Sequence, residues 1–355
     1  MDANLNKINQ KIFQWTIIGA GPAGIAAVGK LLDNGISPDS ILWIDPYFQV
    51  GDLGMYWQNV SSNTKVRLFN AFLLNSPSFS YKNAAEQFEL TQLPAEETCT
   101  LKYIVEPLQW VSEQLIQKVE IQRTHVTTMH LSERTWFIGC HSQTFKSRNV
   151  ILATGASPSS LNYPEVEVIP FDYAIDREKL ASVININETY GVFGSSHSAI
   201  IIVRYLVELG VKQVINFYRS PCRYAIELDD WILFDNTGLK GNTATWAREH
   251  IDGVLPENLL RCDTSPPNIA RYLPECSRVV YAVGFEKRQN IVIKDYEDTK
   301  HNPYVGIIGP GLFGLGIAHP EVKPDRLGSV EPQVGLWKFM VYLNKVMPIW
   351  LKYHT

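Results

Sequence analysis

One segment near the N-terminus constrains this chain more than any other. The apolar run Phe13–Ile18 leads into Gly19-Ala20-Gly21-Pro22-Ala23-Gly24. A helical pattern follows from Pro22 to Leu32, and a second apolar run, Ile41–Ile44, ends at Asp45. Strand, glycine turn, helix and strand each have a physical duty here. Gly19 allows the sharp turn, Gly21 lets phosphates approach the backbone, and Gly24 lets helix and strand pack closely. The free N–H groups at the helix start attract an anion. Asp45 lies about 20 residues beyond Gly24, where a carboxylate meets the ribose hydroxyls of a dinucleotide. A plain tight turn would not need the spaced acid, so the segment reads as a dinucleotide site.

The unit recurs once, altered. Tyr190–Phe193 is followed by Gly194-Ser195-Ser196-His197-Ser198-Ala199, a helix to Leu209, and a strand from Val214 to Tyr218 that ends at Arg219. Serine and alanine replace the second and third glycines. Both are small enough to keep the approach close, and Ser196 and Ser198 add hydroxyl donors. An arginine at the second strand's end, with Arg223 four residues on, suits a 2′-phosphate, whereas an acid suits a free ribose hydroxyl. This unit reads as an NADP(H) site, or else as a unit that packs and binds nothing.

Between and after these units lie further elements. Ala84–Leu90 and Val105–Val119 have helical spacing. Val126–Leu131, Thr135–Cys140 and Phe145 read as an antiparallel meander of short strands, which runs directly into a buried strand in Asn149-Val150-Ile151-Leu152-Ala153-Thr154-Gly155. Ser157–Ser160 reads as a linker, 220–277 as irregular, Arg278–Ala282 as a strand closed by Gly284, and 335–346 as a helix.

Composition narrows the class. With 355 residues, 45% apolar, and 32 Lys+Arg against 36 Asp+Glu, the chain is a globular protein of about two domains without a basic footprint for nucleic acid. Cys99, Cys140, Cys222, Cys262 and Cys276 form no CxxC, which argues against a zinc ribbon or a dithiol pair. No metal site is expected. The odd count and the lack of a signal peptide favour a cytoplasmic setting. The stretch from Ile12 to Val28 is broken by Gln14, Gly19, Gly21, Pro22 and Gly24, so it is no membrane span.

Taken together, GAGPAG, the Ala153-Thr154-Gly155 strand end, Gly194–Ala199 and Val280-Tyr281-Ala282-Val283-Gly284 resemble the two-dinucleotide-domain flavoproteins. These are the flavin-containing and N-hydroxylating monooxygenases and the pyridine nucleotide-disulfide reductases. The resemblance implies an α/β fold of two Rossmann-like three-layer domains, the first carrying a small antiparallel meander. It implies FAD bound by a discontinuous domain, 1–160 plus 281–355, and NADP(H) bound by an inserted domain, 161–280. Cofactor contacts are then expected at Gly19, Gly21, Pro22, Ala23, Gly24, Asp45, Trp57, Val126, Thr154, Gly155, Gly284, Leu315 and Gly316 for the flavin. For the second nucleotide they are Gly194, Ser195, Ser196, His197, Ser198, Arg219 and Arg223. By analogy with flavin monooxygenases, Trp57 and Asn63 are the candidates beside the flavin ring. Two departures stand out. The FxGxxxH segment is missing, and Gly316 is followed by Ile317 where relatives carry Asp; His319 is a candidate to replace that contact.

The resemblance implies an enzyme, an FAD- and NADPH-dependent oxidoreductase of monooxygenase type. It would take hydride from NADPH and use O2 on a small soft nucleophile. Two alternatives stay open: a reductase passing electrons to a disulfide, quinone or protein, and a non-catalytic redox-responsive flavoprotein. Partners would be a small substrate or acceptor, with an oligomer compatible. Several residues read two ways. Trp57 suits core as well as flavin, Asn63 a turn, His197 a phosphate contact or a surface, and Asp229-Asp230-Trp231 with Trp246 a substrate mouth or a loop. Cys222 has no thiol neighbour in sequence. The Trp337–Trp350 tail suits a partner surface or a helix packed beneath the first domain.

Overall fold

The first apolar run forms strand β1, Ile12–Ile18, and the turn after it launches helix α1, Pro22–Asp33. Pro22 sits at the first helical position, where its fixed φ suits the turn and its missing N–H costs nothing. A computed structural model describes residues 11–141, 143–294 and 300–352. Contacts divide the chain into two units. One comprises the residues up to Gln58, Thr64–Ala156 and those from Lys287 on; the other comprises Asn59–Asn63 and Ser157–Glu286.

In the first unit, β2 (Ile41–Ile44), helix α2 (Lys102–Ile116) and β3 (Glu120–Gln122) follow α1, and β1, β2 and β3 run parallel. The meander is β4 (Val126–Ser132), β5 (Thr135–Cys140) and β6 (Gln143–Leu152). Two expectations change here. Phe145 and the Asn149 run are one ten-residue strand, not two. The polar stretch at its centre is buried because Ser147 Oγ donates to the Asn149 carbonyl and Asn149 Nδ2 to the Gln14 carbonyl. Ala84–Leu90 is no α-helix but short 3₁₀ turns at Ala85–Gln87 and Glu89–Gln92, so its apolar spacing reflects packing of Phe88 and Leu90 on the core. The aromatic loop after Asp45 contains a short helix, Gly51–Tyr56.

The second unit carries its own five-stranded parallel sheet. It comprises β7 (Thr189–Phe193), helix α3 (His197–Glu208), β8 (Gln213–Tyr218), helix α4 (Gly241–His250), β9 (Leu259–Asp263) and β10 (Arg278–Tyr281), with Glu167–Val168 beside β10. Residues 220–277 are therefore not irregular throughout. They supply α4, the edge strand β9 and a hairpin of Ile226–Leu228 with Trp231–Leu233. Strand β10 lies between Glu167–Val168 and β7, inside this sheet. Residues 281–286 thus stay with the second unit, and the crossing falls at Lys287.

The returning chain completes the first sheet. Strand β11 (Leu312–Gly314) pairs parallel with Val150–Leu152 of β6, and helix α5 (Leu336–Trp350) packs against α1. Trp15, Phe313 and Trp350 stack in series, with ring centroids 5.6 and 4.8 Å apart, and the Trp350 indole donates to the Val305 carbonyl at 2.6 Å. Trp350, Met340 and Leu343 are fully buried, so this face of the C-terminal segment is core. No helix among the described residues is long and apolar enough to cross a membrane. Trp350→Ala would remove the stack's anchor and orphan the Val305 carbonyl. It is expected to cost about 3–5 kcal/mol, read as a lower urea midpoint at unchanged slope.

Candidate functional site

Both units build their glycine turns from the same hydrogen bonds. In the first, Gly19 N–H donates to the Ile44 carbonyl at 2.8 Å, Ala153 N–H to Ile18 at 2.9 Å and Ile25 N–H to Gly21 at 3.0 Å. In the second, Gly194 N–H donates to Phe217 at 2.8 Å, Ala282 N–H to Phe193 at 2.9 Å and Ile200 N–H to Ser196 at 3.0 Å. The first glycine of each turn has positive φ, +110° and +124°. A Cβ at Gly19 would lie 2.3 Å from the Ala153 carbonyl oxygen, and one at Gly194 would lie 2.3 Å from that of Ala282. Each turn is thus wedged against the end of the neighbouring glycine-closed strand. The positions differ in their second strands as well. Trp43 Nε1 donates to the Gly19 carbonyl at 2.9 Å, and Asn216 Nδ2 to the Gly194 carbonyl at 2.8 Å.

The first turn fits a dinucleotide. Gly24 admits no side chain, because its Cβ would stand 1.9 Å from the Gly19 oxygen, whereas a Cβ at Gly21 would meet nothing closer than 3.9 Å. Space therefore opens at the position where phosphate must approach. The Asp45 carboxylate accepts from Ala20 N–H at 2.8 Å through Oδ2, and from Tyr47 and Phe48 N–H at 2.8 and 2.7 Å through Oδ1. It is held rigid and retains lone pairs on Oδ2. Thr154 and Gly155 follow β6 directly. Leu315 is fully buried and ties its N–H to the Leu152 carbonyl, so its side chain is core. Gly316 has φ +84°, and a Cβ there would lie 2.8 Å from Ala23 Cβ. Val126 likewise turns its side chain into an apolar cluster with Met129 and Trp136.

Sequence reasoning missed an ion pair beside this turn. Arg288 Nη2 binds Asp52 Oδ2, and Arg288 Nη1 lies 3.6 Å from where a Gly155 Cβ would stand. Burial raises the Asp52 carboxyl pKa, against the lowering effect of Arg288. Trp57 is half-buried against the first core, whereas Asn63 is exposed on the strand Ser61–Lys65 and falls in the second unit. The structure therefore places these two candidates in different units.

In the second unit, Ser196 caps α3 without a side-chain hydrogen bond to the helix, and Ser195 Oγ donates to the Ser220 carbonyl at 2.7 Å. The His197 ring makes no hydrogen bond of ordinary geometry. Burial lowers its pKa to about 4, Lys240 adding to the effect and the Ser61 carbonyl opposing it. By register, Asp45 has Tyr218 as its counterpart, so Arg219 stands one residue past the acid position. Arg219 is exposed, and Arg223 places its guanidinium 4.5 Å from the Phe234 ring centroid. Gly284 has φ +111° and open space around it.

His319, expected as a contact by default, is 1% exposed beneath Gly314, with His301 at 5.3 Å between ring centroids. It lies behind the strand ends rather than on an open face. All five cysteines are free, and burial pushes every thiol up: Cys99, Cys140 and Cys262 to about 11, Cys276 to about 12, and Cys222 in the same direction.

One mixed sheet and one parallel sheet, each carrying a strand–glycine turn–helix unit, make the two-dinucleotide-domain fold. Residues 13–235 match the family model described as pyridine nucleotide-disulphide oxidoreductase. The monooxygenase AgnR1 of Paecilomyces divaricatus is 33% identical, over 94% of this chain and 97% of its own length. An ornithine N-hydroxylase from Kutzneria sp. 744 shares the fold with a TM-score of 0.67 at 12% identity, covering 96% of this chain and 99% of that one. The bacillithiol disulfide reductase of Staphylococcus aureus does so at 0.61 and 12%, covering 97% and 99%. This chain belongs to the pyridine nucleotide-disulphide oxidoreductase family and is a flavin-dependent oxidoreductase.

The buried histidine predicts an acid response. Burial drops the His319 pKa to about 3, with Lys287 and His301 lowering it further and the Leu152 carbonyl opposing. A base whose folded pKa is depressed binds more protons when unfolded. Its penalty is absent above about pH 6.5 and grows as pH falls toward the folded value. Between pH 7 and 5 this ring alone is expected to cost about 2 kcal/mol. Urea midpoints for the parent and His319→Gln should converge as pH falls to 5; parallel curves would refute the assignment.

Proposed function

We propose that this protein is an FAD-dependent monooxygenase that draws its electrons from NADPH and oxygenates a small soft nucleophile such as an amine, sulfide or carbonyl. The observation that carries this reading is the 33% identity to a monooxygenase over nearly the whole of both chains. The first unit would hold FAD. Its diphosphate would lie against the Gly19–Gly24 turn and the start of α1, and its adenosine ribose against Asp45 Oδ2. Thr154, Gly155 and Gly316, at the ends of neighbouring strands, would border it, and Trp57, in the same unit, remains the candidate beside its ring. The second unit would hold NADPH at Gly194–Ser198, with the arginines beyond β8 facing its 2′-phosphate. Bound together, these groups supply hydride transfer and reaction with O2. The chain's own share is to bind, orient and exclude water.

The reductase reading needs either an external acceptor or an internal thiol pair. The second route is disfavoured because the attacking species is a thiolate, and all five thiols titrate above the ordinary cysteine range.

Two outcomes test the proposal. Gly21→Val adds a side chain at a position where a Cβ meets nothing closer than 3.9 Å, so the variant should keep the parent's circular dichroism and lose its flavin absorbance. Retention of full flavin would place the FAD elsewhere. Without substrate, the purified protein should oxidise NADPH slowly, at least about tenfold faster than NADH at sub-saturating concentration, and release hydrogen peroxide. Rapid turnover on adding a disulfide or quinone, with little peroxide, would select the reductase.

A further inference from the structure

The two units share the three backbone hydrogen bonds of the turn and a side-chain donor to its first carbonyl, so a residue that breaks the match carries information about the ligand. On the third strand of each sheet, the residue registered with Trp43 is Ile121 and the residue registered with Asn216 is Arg261. An apolar position of the first unit is therefore a half-buried arginine in the second.

Arg261 is held on several sides. Its Nε donates to Asn216 Oδ1 at 2.9 Å, while Asn216 Nδ2 donates to the Val192 and Gly194 carbonyls at 3.0 and 2.8 Å. Asn216 is fully buried, so the amide is a rigid link from the guanidinium to the glycine turn. Arg261 Nη2 points at Cys222 Sγ, 3.7 Å away, and the guanidinium carbon lies 4.6 Å from the Tyr218 ring centroid. Tyr218 occupies the place that Asp45 holds in the first unit. Where one unit offers a carboxylate, the other offers an aromatic face with a fixed cation on it. Asp263, the nearest carboxylate along β9, is occupied by Ser265 N–H and Asn268.

We propose that Arg261 is the residue by which the second unit distinguishes a 2′-phosphorylated nucleotide from its unphosphorylated counterpart, with Asn216 positioning it and the exposed Arg219 adding mobile charge. This rests on the reading of that unit as an NADPH site. A guanidinium whose Nε is already bonded has lost its rotamer freedom before the ligand arrives, so the charge-assisted bond costs little ordering. Arg219 and Arg223, the residues that sequence position suggests, lie beyond the strand and lack such an anchor on the glycine turn.

The test is direct titration of the flavin-loaded protein with NADP⁺ and with NAD⁺, followed by tryptophan fluorescence or calorimetry. The parent should bind NADP⁺ more tightly. Arg261→Met should weaken NADP⁺ roughly tenfold or more while changing NAD⁺ less than about twofold. Arg261→Lys, which keeps the charge but not the fork, should recover part of the loss, and Arg219→Ala should lose less than Arg261→Met. Equal weakening of both nucleotides in the Met and Lys variants would make Arg261 a structural prop and overturn the proposal. So would an unchanged NADP⁺ to NAD⁺ ratio in a parent-like fold. If the parent itself binds both nucleotides equally, the NADPH reading falls with it; if the parent prefers NADP⁺ and Arg261→Met keeps that preference undiminished, only the assignment to Arg261 falls.

Discussion

Everything that this protein offers a ligand depends on one steric constraint, the contact between a strand end and the turn beside it. At Gly19 and at Gly194 the backbone is pressed so close to the next strand's last carbonyl that no Cβ fits. That contact sets the positive φ of the turn, aims the following N–H groups outward and starts the helix where an anion is wanted. The neighbouring strands end in glycines of their own, Gly155 and Gly284, both at positive φ, so the chain leaves the sheet without covering the turn.

The two copies part company at the third small position. Gly24 lies against the Gly19 oxygen so closely that α1 and β1 can pack only there, and α1 is buried along most of its length. In the second unit Ala199 takes that place, with its methyl 3.0 Å from where a Gly194 Cβ would be. The tolerance follows from how the turn carbonyl is satisfied. In the first unit an indole spans to Gly19. In the second, the smaller Asn216 amide does the same work and keeps its oxygen free to hold Arg261.

Much of this was legible in the sequence because glycine wedges are dictated locally. Gly19, Gly21 and Gly24, the β1–α1–β2 order, the acid at Asp45 and the second turn from Gly194 all stand where residue type and spacing put them. What was not legible depends on partners far along the chain. The β6 strand hides behind Ser147 and Asn149, whose hydroxyl and amide N–H groups are taken up by the backbone of β6 itself and by the Gln14 carbonyl. Strand β9 is short and half polar because it lies at a sheet edge. Arg261 in that strand reads as a surface charge until its register with Asn216 is known. Asp52 and Arg288 are more than two hundred residues apart, and no local pattern announces their pairing.

The same burial that stabilises the fold also removes the chain's own reactive groups from the chemistry. Desolvation penalises a thiolate and an imidazolium alike. It leaves the five thiols protonated and holds His197 and His301 near pKa 4 and His319 near 3, so these rings are neutral at pH 7. Neither set offers a strong nucleophile or a proton donor poised near neutrality. The side chains that stand beside the turns are of another kind: Asp45, the Asp52–Arg288 pair, Arg261 and Arg219. They bind and orient. A protein arranged in this way contributes position and field around its two glycine turns.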